Sequence, residues 1–160
     1  MIKLLAILAL LGVAGVMLYI RFTPSDPADW HVDPRAVSRP DTPNSWLIRP
    51  VGGDAVAPEF MLGAQELAQV VDAVIRAQPR TRPLAGSVEE GQLTYVTRTP
   101  LMGYPDYVSV RVFPTGAGAG LAVFSRSRFG HSDLGTNRKR LEDWMREIEA
   151  AVREKEAGNG

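Results

Sequence analysis

A short segment from Phe124 to Arg140 contains most of the side chains that could form a binding or catalytic site. Arg126 and Arg128 are two residues apart, so on a β-strand they would share one face, while Ser125 and Ser127 would share the other. Planar guanidinium groups bind carboxylate and phosphate oxygens through paired hydrogen bonds. The spacing therefore predicts an anion-binding surface on one face of a strand.

A helix is expected to begin directly after this strand. Ser132 or Asp133 is the expected N-cap, and the free backbone amides near Gly135 would add positive potential beside the arginines. The alternative is that the two arginines pair with Asp133, Asp106 or the glutamates of a predicted hairpin, and bind no ligand. Both interpretations are compatible with the sequence.

Other catalytic patterns are weaker. His131, Ser132 and Asp133 include the residue types of a hydrolase triad, but adjacent side chains point apart and cannot align a nucleophile with its base. The glycines at 116, 118 and 120 lie between two predicted strands, which favours a hairpin turn over a phosphate-binding loop. Two histidines fall short of a zinc site unless carboxylates complete it. We expect no metal and no cofactor.

The composition excludes several classes of function. Lys plus Arg and Asp plus Glu number 18 each, so no net field attracts nucleic acid, and we expect no nucleic-acid partner. Cysteine is absent, which excludes disulfides, thiolate catalysis and cysteine-ligated metal centres. Any electrostatic function must therefore be local.

The chain begins with an apolar segment. Leu4 to Ile20 is a run of 17 uncharged residues between Lys3 and Arg21. As a helix it would span about 25 Å, close to the lower limit for a bilayer core. Its distal end offers no small-x-small cleavage site. We predict a transmembrane signal anchor at residues 1–21, which contacts the membrane through residues 4–20 and keeps the amino terminus inside. The alternative is a signal peptide that is removed.

A proline-rich tether is predicted at residues 22–58, which contain seven of the twelve prolines. Trp30 and Trp46 lie in this segment, and a fully solvated linker rarely contains tryptophan. Part of the tether should therefore lie on the domain or on lipid headgroups.

Residues 59–157 are predicted to form one α+β domain. Apolar residues recur at helical spacing from Ala64 to Ile75 and again from Leu134 to Val152. Four strands are predicted between these helices, at residues 84–88, 93–97, 107–113 and 121–128, and the third of them places Val108, Val110 and Val112 on its core face. This order predicts a two-layer sandwich in which two helices cover a four-stranded antiparallel meander.

Several strings of residues carry a family resemblance: Arg98-Thr-Pro-Leu-Met-Gly-Tyr-Pro-Asp106, Ser125-Arg-Ser-Arg128, Ser132-Asp-Leu-Gly135 and Asn137-Arg-Lys-Arg140. Together they resemble the bacterial and plastid domain-of-unknown-function family 1499 over about the last 100 residues. Upstream, Pro40-Asp-Thr-Pro-Asn44-Ser45 is similar to that family's Pro-x-Ser-Pro-Asn-Cys stretch. Ser45 stands where the family often has cysteine, so no thiol role is carried over.

The resemblance implies a bacterial envelope protein with a compact α+β domain and no established activity. The motif residues of the family map onto the residues that the spacing argument selected. With Arg98, the candidate ligand-binding residues are Asp106, Ser125, Arg126, Ser127, Arg128, Ser132, Asp133, Asn137 and Arg140.

Two classes of function follow from these residues. The first is a membrane-tethered envelope domain, periplasmic on a single-pass anchor in the bacterial inner membrane, whose arginine cluster binds an anionic ligand or an envelope protein. The alternative is a hydrolase-like enzyme that uses Asp106 or Asp133 as a general base beside the arginines. A purely structural role is a third possibility. The hydrolase alternative requires a concave pocket with a perturbed carboxylate. The most informative observation is whether Arg126, Arg128, Asp106 and Asn137 converge on one cleft or disperse into separate salt bridges.

Overall fold

The computed structural model describes residues 1–158, in which it contains four helices and six strands. The helices are α1 (Ile2–Phe22), α2 (Pro27–Trp30), α3 (Ala64–Ala77) and α4 (Thr136–Gly158). The strands are β1 (Ser45–Ile48), β2 (Glu59–Phe60), β3 (Thr81–Ser87), β4 (Gln92–Arg98), β5 (Pro105–Pro114) and β6 (Ala119–Ser127). They form one antiparallel sheet in the order β1-β6-β5-β4-β3, and β2 also pairs with β6.

The α+β class is confirmed, but the predicted four-stranded meander with two helices is wrong in its counts. The sheet has six strands because β1 and β2, which both come from residues 45–60, pair with β6. The pairing of β1 runs from Ser45 opposite Arg126 to Ile48 opposite Val123. Sequence patterns miss these strands because β1 has only four residues and β2 only two, which is too short for a clear alternation.

One face of the sheet carries the hydrophobic core. Val108, Val110 and Val112 alternate along β5 and lie in this core, as the sequence predicted. The helices bury apolar stripes against the same face: Leu67, Ala68, Val71 and Ile75 of α3, and Leu141, Trp144, Met145, Ile148 and Val152 of α4. We call this side of the sheet the helix face. The prediction was wrong for Leu134, which is 95% exposed because it lies in the turn before α4.

Residues 23–37, which we call the strap, lie on the opposite face of the sheet. Within the strap, α2 begins at Pro27, and the Asp26 carboxylate caps it by accepting the Ala28 amide at 2.9 Å. The Trp30 ring stacks on the Tyr107 ring of β5, with centroids 3.8 Å apart. The strap therefore adds a third layer to the predicted two-layer sandwich.

Gly86 allows the strap to approach β3 closely. Its φ of +81° lies in the left-handed region, and a Cβ there would be 2.0 Å from the Gln92 carbonyl oxygen and 2.8 Å from His31 Cε1. His31 in turn places its Nδ1 2.9 Å from the Thr94 hydroxyl of β4. A larger residue at position 86 would separate these contacts.

The Trp30→Ala substitution should detach the strap from the sheet. It removes the stacked ring, and we expect a loss of about 2 kcal/mol in unfolding free energy together with faster proteolysis within residues 23–37. Limited trypsin digestion of the full chain in detergent measures this, because Arg35 provides a cleavage site in the strap. The control is Met61→Ala, which removes an exposed apolar side chain. Equal digestion rates for the two variants would contradict the assignment.

Helix α1 is long and apolar enough to cross a membrane. Most of its side chains are exposed, but Ile20 in its last turn is buried, and so is Thr23 directly after it. The Arg98 guanidinium lies 3.4 Å from the Ile20 carbonyl oxygen and 3.5 Å from that of Thr23. The end of α1 therefore contacts the domain directly.

Candidate functional site

The ten residues predicted to form one site lie on both faces of the sheet. Five form a hydrogen-bonded cluster on the helix face, which we call the polar network: Asp106, Ser125, Ser127, Asn137 and Arg140. Ser132 and Asp133 lie in the turn that precedes α4. The other three, Arg98, Arg126 and Arg128, are on the strap face. The predicted arginine cluster therefore does not converge with Asp106 and Asn137 on one cleft.

An ion pair between Arg140 and Asp106 is the centre of the polar network. Arg140 Nη2 donates to Asp106 Oδ2 at 2.6 Å, and its Nη1 donates to Ser125 Oγ at 3.1 Å and to Asn137 Oδ1 at 2.6 Å. The two charged side chains are only 12% and 2% exposed. Because the surroundings are largely dry, each charge depends on the other for compensation.

Asn137 connects the polar network to the segment before β1. Its Nδ2 donates to the Asn44 carbonyl oxygen at 2.9 Å and to Ser127 Oγ at 3.0 Å. The Asn44 side chain then donates to the Gly130 carbonyl oxygen at 2.7 Å. Asn44 was not among the predicted site residues, because no local pattern indicates a contact between residues 93 positions apart.

Asp133, one of the two residues predicted as the N-cap, caps α4. Its Oδ2 accepts the Asn137 amide at 2.7 Å and its Oδ1 accepts the Gly135 amide at 3.0 Å. Both oxygens are thus bound by backbone amides, while Asp106 is bound by Arg140. Carboxylates held in this way do not support the predicted general base. Residues 1–158 also contain no group of three or more His, Cys, Asp or Glu side chains that could hold a metal ion.

Arg126 and Arg128 fasten the strap to the sheet. Arg126 Nη2 donates to the Trp30 carbonyl oxygen at 2.6 Å, and Arg128 Nη1 donates to the Pro24 carbonyl oxygen at 2.6 Å. Within residues 1–158 neither arginine forms an ion pair. The alternative prediction, that these arginines pair with Asp133, Asp106 or the hairpin glutamates, is therefore wrong. Their guanidinium groups donate to carbonyl oxygens of the strap instead.

Arg126 is a buried charge held by neutral groups. Burial lowers the pKa of Arg126 to about 10, so the guanidinium stays protonated at neutral pH. Its Cζ lies 5.2 Å from the Trp30 ring centroid and 4.8 Å from that of Phe124, and its Nη1 donates to Ser109 Oγ at 3.2 Å. Arg126 therefore holds the strap against the sheet.

Four arginines line a pocket of about 490 Å³ beside the C-terminal end of α1. They are Arg21, Arg80, Arg82 and Arg98, and we call this the arginine pocket. Its lining includes Phe22 and the loop residues 99, 100 and 103, but no acidic side chain. Among residues 1–158, none of the four arginines forms an ion pair.

Strand register brings these arginines together. Arg82 of β3 lies opposite Val96 of β4, and Arg98 follows Val96 by two residues on the same face. Arg80 Nε donates to the Arg98 carbonyl oxygen at 3.1 Å, and Arg21 comes from the last turn of α1. Only Arg98 was among the predicted site residues. The others were missed because they are distant in sequence and share no motif.

A second pocket, of about 440 Å³, adjoins the arginine pocket, and Thr99 lines both. We call it the hydroxyl pocket. Four of the predicted site residues lie in its wall: Asp106, Ser127, Ser132 and Asp133. Ile20 of α1, Tyr104 and Phe129 form part of its apolar side, and the two aromatic rings are tilted against each other with centroids 6.2 Å apart.

The fold and these pockets define a small α+β domain that follows an apolar helix. A family model described as a protein of unknown function (DUF1499) matches residues 39–148. The chain therefore belongs to this family, and the resemblance stated above is confirmed.

Among solved structures, the chain is similar to protein MLL2253 from Mesorhizobium loti. The two share 10% sequence identity, the match covers 69% of this chain and 97% of that chain, and the TM-score is 0.48. No functionally curated protein matches the chain significantly.

Proposed function

We propose that the protein is a membrane-tethered domain that binds the phosphate headgroup of an anionic lipid in the arginine pocket. The observation that carries this proposal is the meeting of four arginines, with no acidic neighbour in the lining, at the end of the one helix in residues 1–158 that is apolar enough to span a bilayer. Guanidinium groups bind phosphate oxygens through paired hydrogen bonds. The proposed ligand is an anion, as the sequence predicted, but the proposed binding residues differ from the predicted ones. Only Arg98 belongs to both sets.

The position of the pocket supports a ligand in the same membrane as α1. Arg21 and Phe22 belong both to the last turn of α1 and to the pocket lining, so a headgroup beside that helix could reach the arginines without leaving the bilayer. Leu101, in the loop that borders the pocket, is 83% exposed, and Phe22 is 73% exposed. Exposed apolar side chains beside a basic pocket suit a surface that contacts lipid.

A short connection between α1 and the domain would keep the domain close to the bilayer. Thr23 is buried directly after α1, and the strap that follows is fastened by Arg126 and Arg128, which leaves little free chain between helix and domain. We propose that α1 is an uncleaved signal anchor in a bacterial inner membrane. Lys3 and the amino terminus would lie on the cytoplasmic side, and the domain would lie in the periplasm.

Lipid retention in native mass spectrometry tests the proposal. The full chain is released from nanodiscs that contain equal amounts of phosphatidylglycerol and phosphatidylcholine, and we expect retained phosphatidylglycerol to dominate. The double variant Arg80→Ala/Arg82→Ala should reduce that retention about tenfold, because each arginine near an anionic surface contributes on the order of 1 kcal/mol. Both side chains are exposed, so the fold should tolerate the change.

The matched control is Arg146→Ala/Arg153→Ala, which removes the same charge from the exposed side of α4. Equal lipid retention in the two double variants would overturn the proposal. A parallel experiment adds inorganic phosphate to the chain in detergent. If phosphate raises the thermal midpoint through Arg80 and Arg82 but no lipid is retained, the ligand is a soluble anion and the lipid assignment is wrong.

A further inference from the structure

The hydroxyl pocket has a chemistry different from that of the arginine pocket beside it. Its wall contains two carboxylates and no basic side chain, so it offers a phosphate group no cationic partner. The carboxylates are also compensated, since Asp106 is paired with Arg140 and Asp133 caps α4. Neither an anionic nor a cationic ligand would thus find an uncompensated opposite charge in the pocket wall.

Three hydroxyl groups of residues in the wall each accept a hydrogen bond from the protein. Thr99 Oγ1 accepts the Tyr104 amide at 2.9 Å, Ser127 Oγ accepts Asn137 Nδ2 at 3.0 Å, and Ser132 Oγ accepts the Leu134 amide at 3.3 Å. A hydroxyl oxygen that accepts from the protein keeps its own hydrogen to donate. The protein therefore fixes the positions of the three hydroxyl oxygens, and each hydroxyl can still donate a hydrogen bond to a ligand.

The remaining features of the pocket are an acceptor and an apolar wall. Asp106 lines the pocket, and its Oδ2 accepts from Arg140, whereas Oδ1 accepts no hydrogen bond from residues 1–158 and so can accept one from a ligand. The tilted rings of Tyr104 and Phe129 offer an apolar surface on another side. Pockets of this size bind small molecules through an apolar wall and a few fixed polar groups.

We propose that the hydroxyl pocket binds a neutral polyhydroxylated group, the size of one sugar ring. Such a ring supplies hydroxyl oxygens for the three donors and hydroxyl hydrogens for Asp106, and its C–H face packs against Tyr104 and Phe129. The ring can come from a soluble sugar or from the headgroup of a glycolipid, because Ile20 of α1 also lines the pocket. This site is independent of the lipid phosphate proposed for the arginine pocket.

Saturation-transfer difference NMR tests this assignment with methyl β-D-glucoside as the probe and the full chain in nanodiscs. We expect saturable transfer to the ring C–H protons, with a dissociation constant of about 1 mM. Phe129→Ala and Ser132→Ala should each weaken binding about fivefold, because one removes the packing surface and the other a donor. Arg82→Ala should leave sugar binding unchanged, and Phe129→Ala should leave phosphatidylglycerol retention unchanged, so the two sites fail separately.

The same nanodiscs doped with a monoglucosyl diacylglycerol distinguish the two sources. Phe129-dependent retention of this glycolipid indicates a headgroup presented by the bilayer, whereas binding of the methyl glucoside alone indicates a soluble sugar. The proposal is overturned if the methyl glucoside shows no saturable transfer and the glycolipid is not retained. It is equally overturned if Phe129→Ala leaves both signals unchanged, or if tetramethylammonium displaces the sugar, since the site would then select a cation.

Discussion

Asp106→Ala should lower the unfolding free energy of the domain by about 3–5 kcal/mol, the largest effect expected of any substitution considered for this protein. The variant leaves the Arg140 guanidinium, which is only 12% exposed, without its carboxylate at 2.6 Å. The charge then has to be rehydrated, or its side chain has to leave the site, and either outcome breaks its bonds to Ser125 and Asn137. Urea denaturation of the full chain in detergent measures the loss.

A double variant separates the ion pair from the packing around it. Replacing both partners, as Asp106→Leu with Arg140→Met, removes both buried charges together and should recover most of the stability that Asp106→Ala loses. Glu142→Ala breaks the exposed pair with Arg138 on the same helix, and should leave the midpoint nearly unchanged. If Asp106→Ala were as mild as Glu142→Ala, the polar network would not be a structural unit.

Arg126→Met should cost about 2–4 kcal/mol, the second largest expected effect. Methionine preserves much of the side-chain volume but cannot donate to the Trp30 carbonyl oxygen or to Ser109 Oγ, now at 2.6 and 3.2 Å. The Trp30 carbonyl oxygen then keeps only the weaker neutral donor Ser109 Oγ, at 3.1 Å, and the strap loses its charged attachment to β6. We expect a lower urea midpoint together with faster trypsin cleavage in the strap.

Arg153→Ala is the matched control for Arg126→Met, because it removes an exposed arginine of α4 whose one ion pair within residues 1–158 is with Glu149. Its midpoint should stay close to that of the wild type. The experiment also distinguishes the two interpretations of Arg126. A variant that keeps full stability and an intact strap, but loses lipid retention, would return Arg126 to the ligand site that the sequence alone suggested.

The sequence predicted which face of β6 each candidate side chain occupies, but not what covers that face. The spacing of Arg126 and Arg128 correctly places them on one face of β6, with Ser125 and Ser127 on the other. The sequence could not show that the strap covers the arginine face, or that α4 covers the serine face. Those contacts join Trp30 to Arg126 and Asn44 to Asn137 across long stretches of chain.

The arginine pocket also depends on contacts between distant segments of the chain. Arg21, Arg80, Arg82 and Arg98 come from a helix end, a turn and two strands, and each is an ordinary exposed or half-exposed residue in its own segment. No local pattern connects them, because their proximity depends on strand register and on where α1 ends. Short spacing between charged residues therefore identifies Arg126 and Arg128, which bind the strap, but not the four residues of the arginine pocket.

What the sequence determined by itself was local in origin. The apolar run of α1, the stripes of α3 and α4, the Val face of β5 and the Asp133 cap each depend on neighbours within one element, and family membership depends on contiguous strings of residues. Tertiary structure alone decided that β1 and β2 join the sheet, that the strap occupies Arg126 and Arg128, and that two pockets with different chemistry meet at Thr99. The physical reason is that periodicity reports which side of an element is buried, whereas the partner on that side is chosen by long-range packing.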